Sequence, residues 1–332
     1  MSIQIKGGKN YTHSIDVITF GEAMAMFIAD SCDPLHEVQH YTMELAGAET
    51  NVAIGLAKLG YKASFVSKVG ADAFGKFIME NLQKNQVDVE KIMTDAYFPT
   101  GFQLKSRVTK GDPEVQYFRK GSAASHLAIA DLDEDYFQKA KHLHMTGIPL
   151  ALSLETRDFT QHALSFFKKQ CKKVSFDPNL RPKLWNSEKE MVDTINFFAK
   201  QANYVLPGVE EGIKLTGYQT PADIASYYLD AGVELVIIKL GARGAYYKSP
   251  TEEGTIYGYP VAKVIDTVGA GDGFAVGVIS GFLEGLPVEE SVQRGNAIGA
   301  LAVQSLGDNT GYPDKQELRQ FINNHSQRSV RI

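Results

Sequence analysis

Short apolar runs alternate along the chain with longer stretches whose apolar residues recur at helical spacing. Residues 15–20 (Ile-Asp-Val-Ile-Thr-Phe) read as a strand halted by Gly21, and residues 48–59 as a helix that stops at Gly60. Residues 64–69 read as the next strand and 73–85 as the next helix. Further short strands are expected at 142–146, 174–176, 204–206 and 235–240, each pair separated by a helix-length segment. This rhythm predicts βαβ units, and so an α/β fold on a parallel sheet with helices on both faces.

Two stretches break the rhythm. Residues 35–45 and 102–119 carry extended, hairpin-like patterning, the second with a turn at Lys110-Gly-Asp-Pro113. No helix-length pattern separates its halves. Both are expected in a small antiparallel β element projecting from the sheet. That element is a lid if the protein handles a sugar or nucleotide, and an ordinary edge hairpin otherwise. The expected partition is core 14–30, lid 31–46, core 47–98, lid 99–121 and core 122–324, with loose tails at 1–13 and 325–332.

Composition narrows the class. A chain of 332 residues can bury a large core without staples, as one large domain with an insertion or as two domains. Acidic side chains outnumber basic ones, 39 to 34, which excludes a generally basic nucleic-acid binder. Cys32 and Cys171 are too few for a disulfide framework or a zinc cluster and read as reduced thiols. No apolar run reaches the ~18 residues of a membrane span. Residues 1–13 are polar and lack the apolar centre of a signal peptide. A cytoplasmic protein with no nucleic-acid or membrane partner is expected. Glycine is the mild outlier, at 30 of 332 residues, about 9% against a usual ~7%.

The informative glycines lie in Val264-Ile-Asp-Thr-Val-Gly-Ala-Gly-Asp-Gly-Phe274. An apolar strand is expected to run into a glycine turn and then into an amphipathic helix. The turn Gly269-Ala270-Gly271-Asp272 would place backbone N–H groups without intrahelical partners at the positive end of a helix dipole. Glycine lets an anion approach them closely, which suits a phosphoryl group in transfer. Asp272, held ionised by the same field, would take a proton from a hydroxyl attacking phosphorus. The plainer reading makes Asp272 a helix cap after a glycine turn.

Other patterns carry less. Gly70-Ala-Asp-Ala-Phe-Gly-Lys-Phe77 nearly has P-loop spacing, but Phe77 stands where a hydroxyl must reach Mg2+ and Asp72 would repel phosphate; a turn before a helix is the better account. No Gly-x-Gly-x-x-Gly follows an expected strand, which argues against dinucleotide binding. His142 and His144 alternate on a buried strand and read as packed side chains.

Asp266-Thr-Val-Gly-Ala-Gly-Asp272 resembles the C-terminal motif of the ribokinase-like, phosphofructokinase-B-type carbohydrate kinases. Leu45-Ala-Gly-Ala-Glu-Thr-Asn51 resembles their N-terminal motif, and the order and separation agree. Tyr117-Phe-Arg-Lys-Gly-Ser-Ala-Ala-Ser125, Asp177-Pro-Asn-Leu-Arg-Pro-Lys-Leu-Trp185 and Ser305-Leu-Gly-Asp308 resemble the 2-keto-3-deoxygluconate kinase branch, although the second segment is shared with fructokinases. The resemblance implies ATP-dependent phosphorylation of that sugar acid, with Asp272 as base and Mg2+ on the ATP phosphates. It also admits a monovalent cation such as K+, and a homo-oligomer is expected. The alternatives are another sugar kinase of the family (a fructokinase or a 5-dehydro-2-deoxygluconate kinase), a catalytically silent sugar sensor, and a nicotinamide dehydrogenase.

Residue by residue, the resemblance places Gly47, Ala48 and Asn51 along the sugar pocket, Tyr117 and Arg119 on the lid over the substrate, and Arg181 at its carboxylate end. Asp308 matches a contact to sugar hydroxyls. A planar guanidinium suits a carboxylate because it binds it bidentately. Arg119, on the lid, would engage only on closure, whereas Arg181 would be preplaced. Lys239, Gly241 and Gly244 match a loop that holds ATP ribose and phosphates, Asn179 a phosphate-side contact, and Asn296 a position near adenine. The family often carries an asparagine three residues before a metal-positioning glutamate. Here Gly208 replaces it and Glu211 alone remains, acting on metal-bound water or as a helix-surface charge.

Overall fold

The structure, a computed structural model, describes residues 14–108 and 113–326. In chain order its strands are β1 (Ile15–Phe20), β2 (Met24–Ala29), β3 (Tyr41–Ala46), β4 (Ala63–Gly70), β5 (Ile92–Asp95), β6 (Phe102–Lys105), β7 (Val115–Phe118), β8 (Ala140–Thr146), β9 (Lys173–Asp177), β10 (Tyr204–Val205), β11 (Leu235–Lys239), β12 (Ala245–Lys248) and β13 (Glu253–Ile256). Nine form one sheet in the order β13-β12-β11-β10-β9-β8-β1-β4-β5. The strands from β11 to β5 are parallel, as their near-continuous burial requires, and β12–β13 closes one edge as an antiparallel hairpin. The pattern of strand and helix did not suggest that hairpin. From β1 the chain builds to one side with β4 and β5 and to the other with β8 to β11. Such a reversal of strand order opens a crevice at the carboxyl ends of the strands.

The helix Ala270–Leu283 is not amphipathic. Residues 273–281 are all buried, because it packs against the helices Ala48–Lys58 and Val288–Ala302 at once. Small residues make that possible: a Cβ at Gly277 would stand 2.5 Å from the Gly295 Cα. The strand expected before the glycine turn is absent. Val264 and Ile265 are 56% and 48% exposed, and Ile265 makes one backbone hydrogen bond, to Val303, instead of a sheet ladder.

A second sheet has the order β3-β2-β6-β7. Its outer pairs are antiparallel and its central pair, β2 with β6, is parallel. The boundary expected at residue 30 therefore falls earlier, since Met24–Ala29 belongs to this sheet. Within 35–45 only the stretch from Tyr41 is strand, and its partner is β2, not the turn around residues 35–37. The expected turn at 110–113 lies largely outside the described residues, as do tails 1–13 and 327–332. His325, expected in a loose tail, sits in the helix Lys315–Ser326. Asp72 caps its helix by accepting from the Gly75 amide, which fixes the P-loop-like segment as a turn.

The Gly277–Gly295 contact makes a direct forecast. Gly277→Ala gains up to ~1 kcal/mol of helix propensity but forces a methyl onto the neighbouring backbone. A net loss of about 1–3 kcal/mol is expected, read as a lower urea midpoint at unchanged m-value. A stabilised variant would refute the close approach.

Candidate active site

A cavity of about 360 Å3 opens at the carboxyl ends of β1, β8, β9 and β11, with residues of the second sheet along its other side. Glu22 follows β1, Asp177 ends β9 and Lys239 ends β11. The glycine turn forms the floor. Gly269 takes φ +81°, and a Cβ there would meet the Asp308 carbonyl oxygen at 1.8 Å, so no other residue fits. The Ala270 amide bonds back to Thr267, and that of Gly273 to Gly269. The intervening amides of Gly271 and Asp272 find no backbone acceptor among the described residues and remain for a ligand. A Cβ at Gly271 would stand 3.5 Å from Lys239 Nζ, so an ammonium group flanks the turn. Dipole, free amides and ammonium together make an anion site.

Asp272 reaches into this site from the first turn of its helix. Asn51 Nδ2 donates to its Oδ2 at 2.8 Å, and Asn179 Nδ2 donates to its Oδ1 at 3.2 Å. The Asn51 amide is itself held, because its Oδ1 accepts from Asn309. Burial pushes the Asp272 carboxyl up to about 7, against the Asn51 hydrogen bond. The expectation that the helix dipole keeps this group firmly ionised is corrected: desolvation outweighs the field. Asn179, at φ +40°, has a buried Oδ1 without a partner, an acceptor left over for a ligand.

Three cations of the cavity are already paired. Lys239 Nζ lies 2.6 Å from Asp177, and Lys105 Nζ 2.7 Å from Asp266 and 3.4 Å from Asp308. Arg119 contacts Glu22 at 2.5 Å through Nε and Nη2. Arg181 differs: it donates to its neighbour's carbonyl and forms no ion pair with the described residues; burial pushes the Asp272 and Asp308 carboxyls up, and Arg181 stands near enough to both to oppose part of that push.

The pfkB family carbohydrate kinase profile matches residues 14–315. The chain belongs to that family. This kinase is 53% identical over 317 residues to a 2-dehydro-3-deoxygluconokinase of Bacillus subtilis, covering 95% of this chain and 97% of the relative. Its fold matches the crystal structure of a PfkB protein from Polaromonas sp. JS666 at 46% identity, with a TM-score of 0.86 over 92% of this chain and 99% of that one. It also matches a protein assigned as ribokinase II from E. coli, solved with ATP and Mg2+, at 28% identity, with a TM-score of 0.87 over 94% of this chain and all of that one.

Of the positions singled out in the sequence, Gly47, Ala48, Asn51, Tyr117, Arg119, Asn179, Arg181, Glu211, Lys239, Gly269, Gly271, Asp272 and Asp308 line the one cavity. Ala270, Gly241, Gly244 and Asn296 do not, and the Ala270 amide is taken by the Thr267 carbonyl. Gly244 turns at φ +99° against the β13 backbone, where a Cβ would meet the Ile256 carbonyl at 2.0 Å. Asn296 donates to the carbonyls of Ile256 and Tyr257. Two expectations change. Glu211 is not a free surface charge, since its oxygens accept from the amides of Leu180 and Gly208 and so staple the Asn179 loop to the start of a helix. Arg119 is not waiting for closure: it is 7% exposed and already held by Glu22.

The sequence reading missed Glu22, Gln103, Lys105 and Asp177, which also line the cavity. Glu22 and Asp177 stand where buried strands end, a signal that was available. Lys105 gave none, being one polar residue in an alternating strand. His142 and His144 share the Ser175 hydroxyl, and burial pushes both down to about 3, so they are neutral packing groups.

Glu49 offers a test of the electrostatics away from the chemistry. Fully buried, it accepts from the Thr146 hydroxyl, and desolvation raises its carboxyl from 4.5 to about 7. A group with a raised folded value contributes stability that is fully present below pH 4.5 and is lost as pH climbs through 7. Glu49→Gln removes this titration. Its stability relative to the wild type should therefore rise by more than about 1 kcal/mol between pH 5 and pH 8, measured by urea unfolding. An equal difference at both pH values would contradict the burial of an ionisable group there.

Proposed function

We propose that this kinase transfers the γ-phosphoryl group of ATP to the 6-hydroxyl of 2-dehydro-3-deoxygluconate (2-keto-3-deoxygluconate). One observation carries the reading: a buried carboxylate near neutrality, Asp272, shares a cavity with an unpaired guanidinium, Arg181. The first suits a hydroxyl that must lose a proton, the second a substrate that ends in a carboxylate. The 53% identical relative supports the same substrate.

Asp272 takes the hydroxyl proton as the new O–P bond forms and the bond between the γ-phosphorus and the β–γ bridging oxygen breaks, leaving ADP. Asn51 and Asn179 hold the carboxylate so that each oxygen keeps a free lone pair toward the substrate. The amides of Gly271 and Asp272, with Lys239, take up charge on the transferring group. The unpartnered Asn179 oxygen, with Asp177 and Glu211 on the same cavity wall, supplies hard oxygen donors; because Asp177 and Glu211 already accept from Lys239 and backbone amides, these residues would hold a magnesium ion mainly through its waters. When bound, Mg2+ supplies neutralisation of the phosphate charge. The second sheet excludes water from the transfer.

Activity should follow Asp272. With its carboxyl at about 7 in the free protein, kcat/KM should rise with pH through that value and level off above it. Asp272→Asn should keep nucleotide affinity while kcat falls at least ~10²–10⁴-fold. Near-normal turnover would remove the assignment. Arg181→Ala should raise KM for the sugar acid, lowering kcat/KM roughly 10- to 150-fold, while fructose turnover changes little. ADP release over a panel of sugar acids and neutral sugars decides the substrate: a higher kcat/KM for fructose than for 2-dehydro-3-deoxygluconate would move the enzyme to another branch of the family.

A further inference from the structure

The chain passes between the two sheets at neighbouring points. It leaves β1 for β2 through residues 21–23 and leaves β7 for the large sheet through residues 119–122. Glu22 stands at the first crossing, Arg119 and Ser122 at the second. The Glu22 side chain is 0% exposed and saturated by these two neighbours. Its Oε2 accepts from Arg119 Nε and Nη2, and its Oε1 from the Ser122 hydroxyl. Gly101, between them, leaves the space, since a Cβ there would lie 2.6 Å from Glu22 Oε1. The guanidinium is also set over the Tyr117 ring, its centre 5.5 Å from the centroid. Its plane is therefore fixed on one edge by a carboxylate and on one face by an aromatic ring.

We propose that Glu22 is the positioning residue for the carboxylate-binding end of the cavity. It holds Arg119 at the root of the second sheet so that the opposite edge of the guanidinium, with Nη1, faces the ligand. By cancelling the Arg119 charge, it leaves Arg181 as the source of net attraction for an anionic substrate. Arg119 then reads shape and hydrogen-bond direction, and Arg181 reads charge. The identity of that substrate rests on the function proposed above; the coupling of Glu22 to Arg119 does not.

A double-mutant cycle tests the coupling on the intact enzyme, using whichever sugar the wild type turns over with the highest kcat/KM. Glu22→Gln keeps the shape and an acceptor but removes the charge. KM for the sugar should rise roughly 10- to 150-fold, the range for a lost charge-assisted contact, with kcat moved far less. Arg119→Gln should raise KM similarly. The double variant carries no buried unpaired charge and should fold even if a single variant does not. Its KM should equal that of Arg119→Gln within about twofold, because Glu22 acts only through Arg119. An unchanged KM in Glu22→Gln overturns the proposal. So does a double variant whose effect is the product of the two singles, or a Glu22→Gln variant that loses thermal stability with KM intact. A wild type that prefers a neutral sugar overturns the proposed substrate instead, and the cycle on that sugar still reads the pair.

Discussion

The hydrogen bond from Asn51 to Asp272 spans 221 residues of chain, and the site is organised around it. Asp272 stands in the first turn of a helix buried from Gly273 to Gly281 and lines the cavity, where desolvation disfavours its charged form. Something inside the protein must satisfy it without charge, or the group would lose its basicity to an ion pair. Two amides do this, from Asn51 and Asn179. A lysine in either place would drive the carboxyl far down and make it a poor proton acceptor; an apolar residue would leave it protonated. Desolvation, opposed by the Asn51 hydrogen bond, leaves it at about 7, ionised in useful proportion and still basic. The same bond locks the start of the Ala48–Lys58 helix to the start of Ala270–Leu283, and Gly55 and Val276 close that interface lower down.

Around this group the cavity is dense in charge, and nearly every charge has a partner. Pairs such as Lys105 with Asp266 and Arg119 with Glu22 are buried to a few percent exposure. Their attraction does little more than offset desolvation, so they are weak evidence of stability. Their value is geometric: each fixes a side chain that a flexible stem would otherwise let wander. Among the cavity's cations the exception is Arg181, whose charge has no ion-pair partner among the described residues. An anion entering the cavity meets one uncompensated cation, and that asymmetry gives the site a direction.

The parallel sheet, its helices and the glycine turn were legible in the sequence because each has a local signature, a period or a glycine at a helix start. The two motifs that carry the family resemblance hold residues in direct contact, Asn51 and Asp272. What was not legible depends on tertiary placement. Met24–Ala29 has the apolar pattern of a core strand and is one, but of the smaller sheet; periodicity records burial, not which layer buries it. The helix Ala270–Leu283 was expected to be amphipathic, but its glycines are points of close packing that let it be buried on all sides. Glu211 stood between a metal-water role and a helix-surface charge, and its stapling role was not legible because both of its partners are backbone amides, which leave no trace in side-chain chemistry.

The two sheets meet through ion pairs of unlike consequence. Glu22 and Arg119 lie at the root, where the chain crosses between layers, and are buried and in direct contact there. Lys105 lies at the end of β6 and reaches Asp266, before the helix Ala270–Leu283, and Asp308, after the helix Val288–Ala302. Separating that contact would expose all three charges to water, and the regained hydration would offset much of the lost attraction. An interaction so nearly balanced between wet and dry cannot by itself hold the smaller sheet closed. On the function proposed above, what fills the cavity would set that balance: a substrate satisfying Asp308, Arg181 and the free edge of Arg119 together would draw the smaller sheet onto it, and water alone would not.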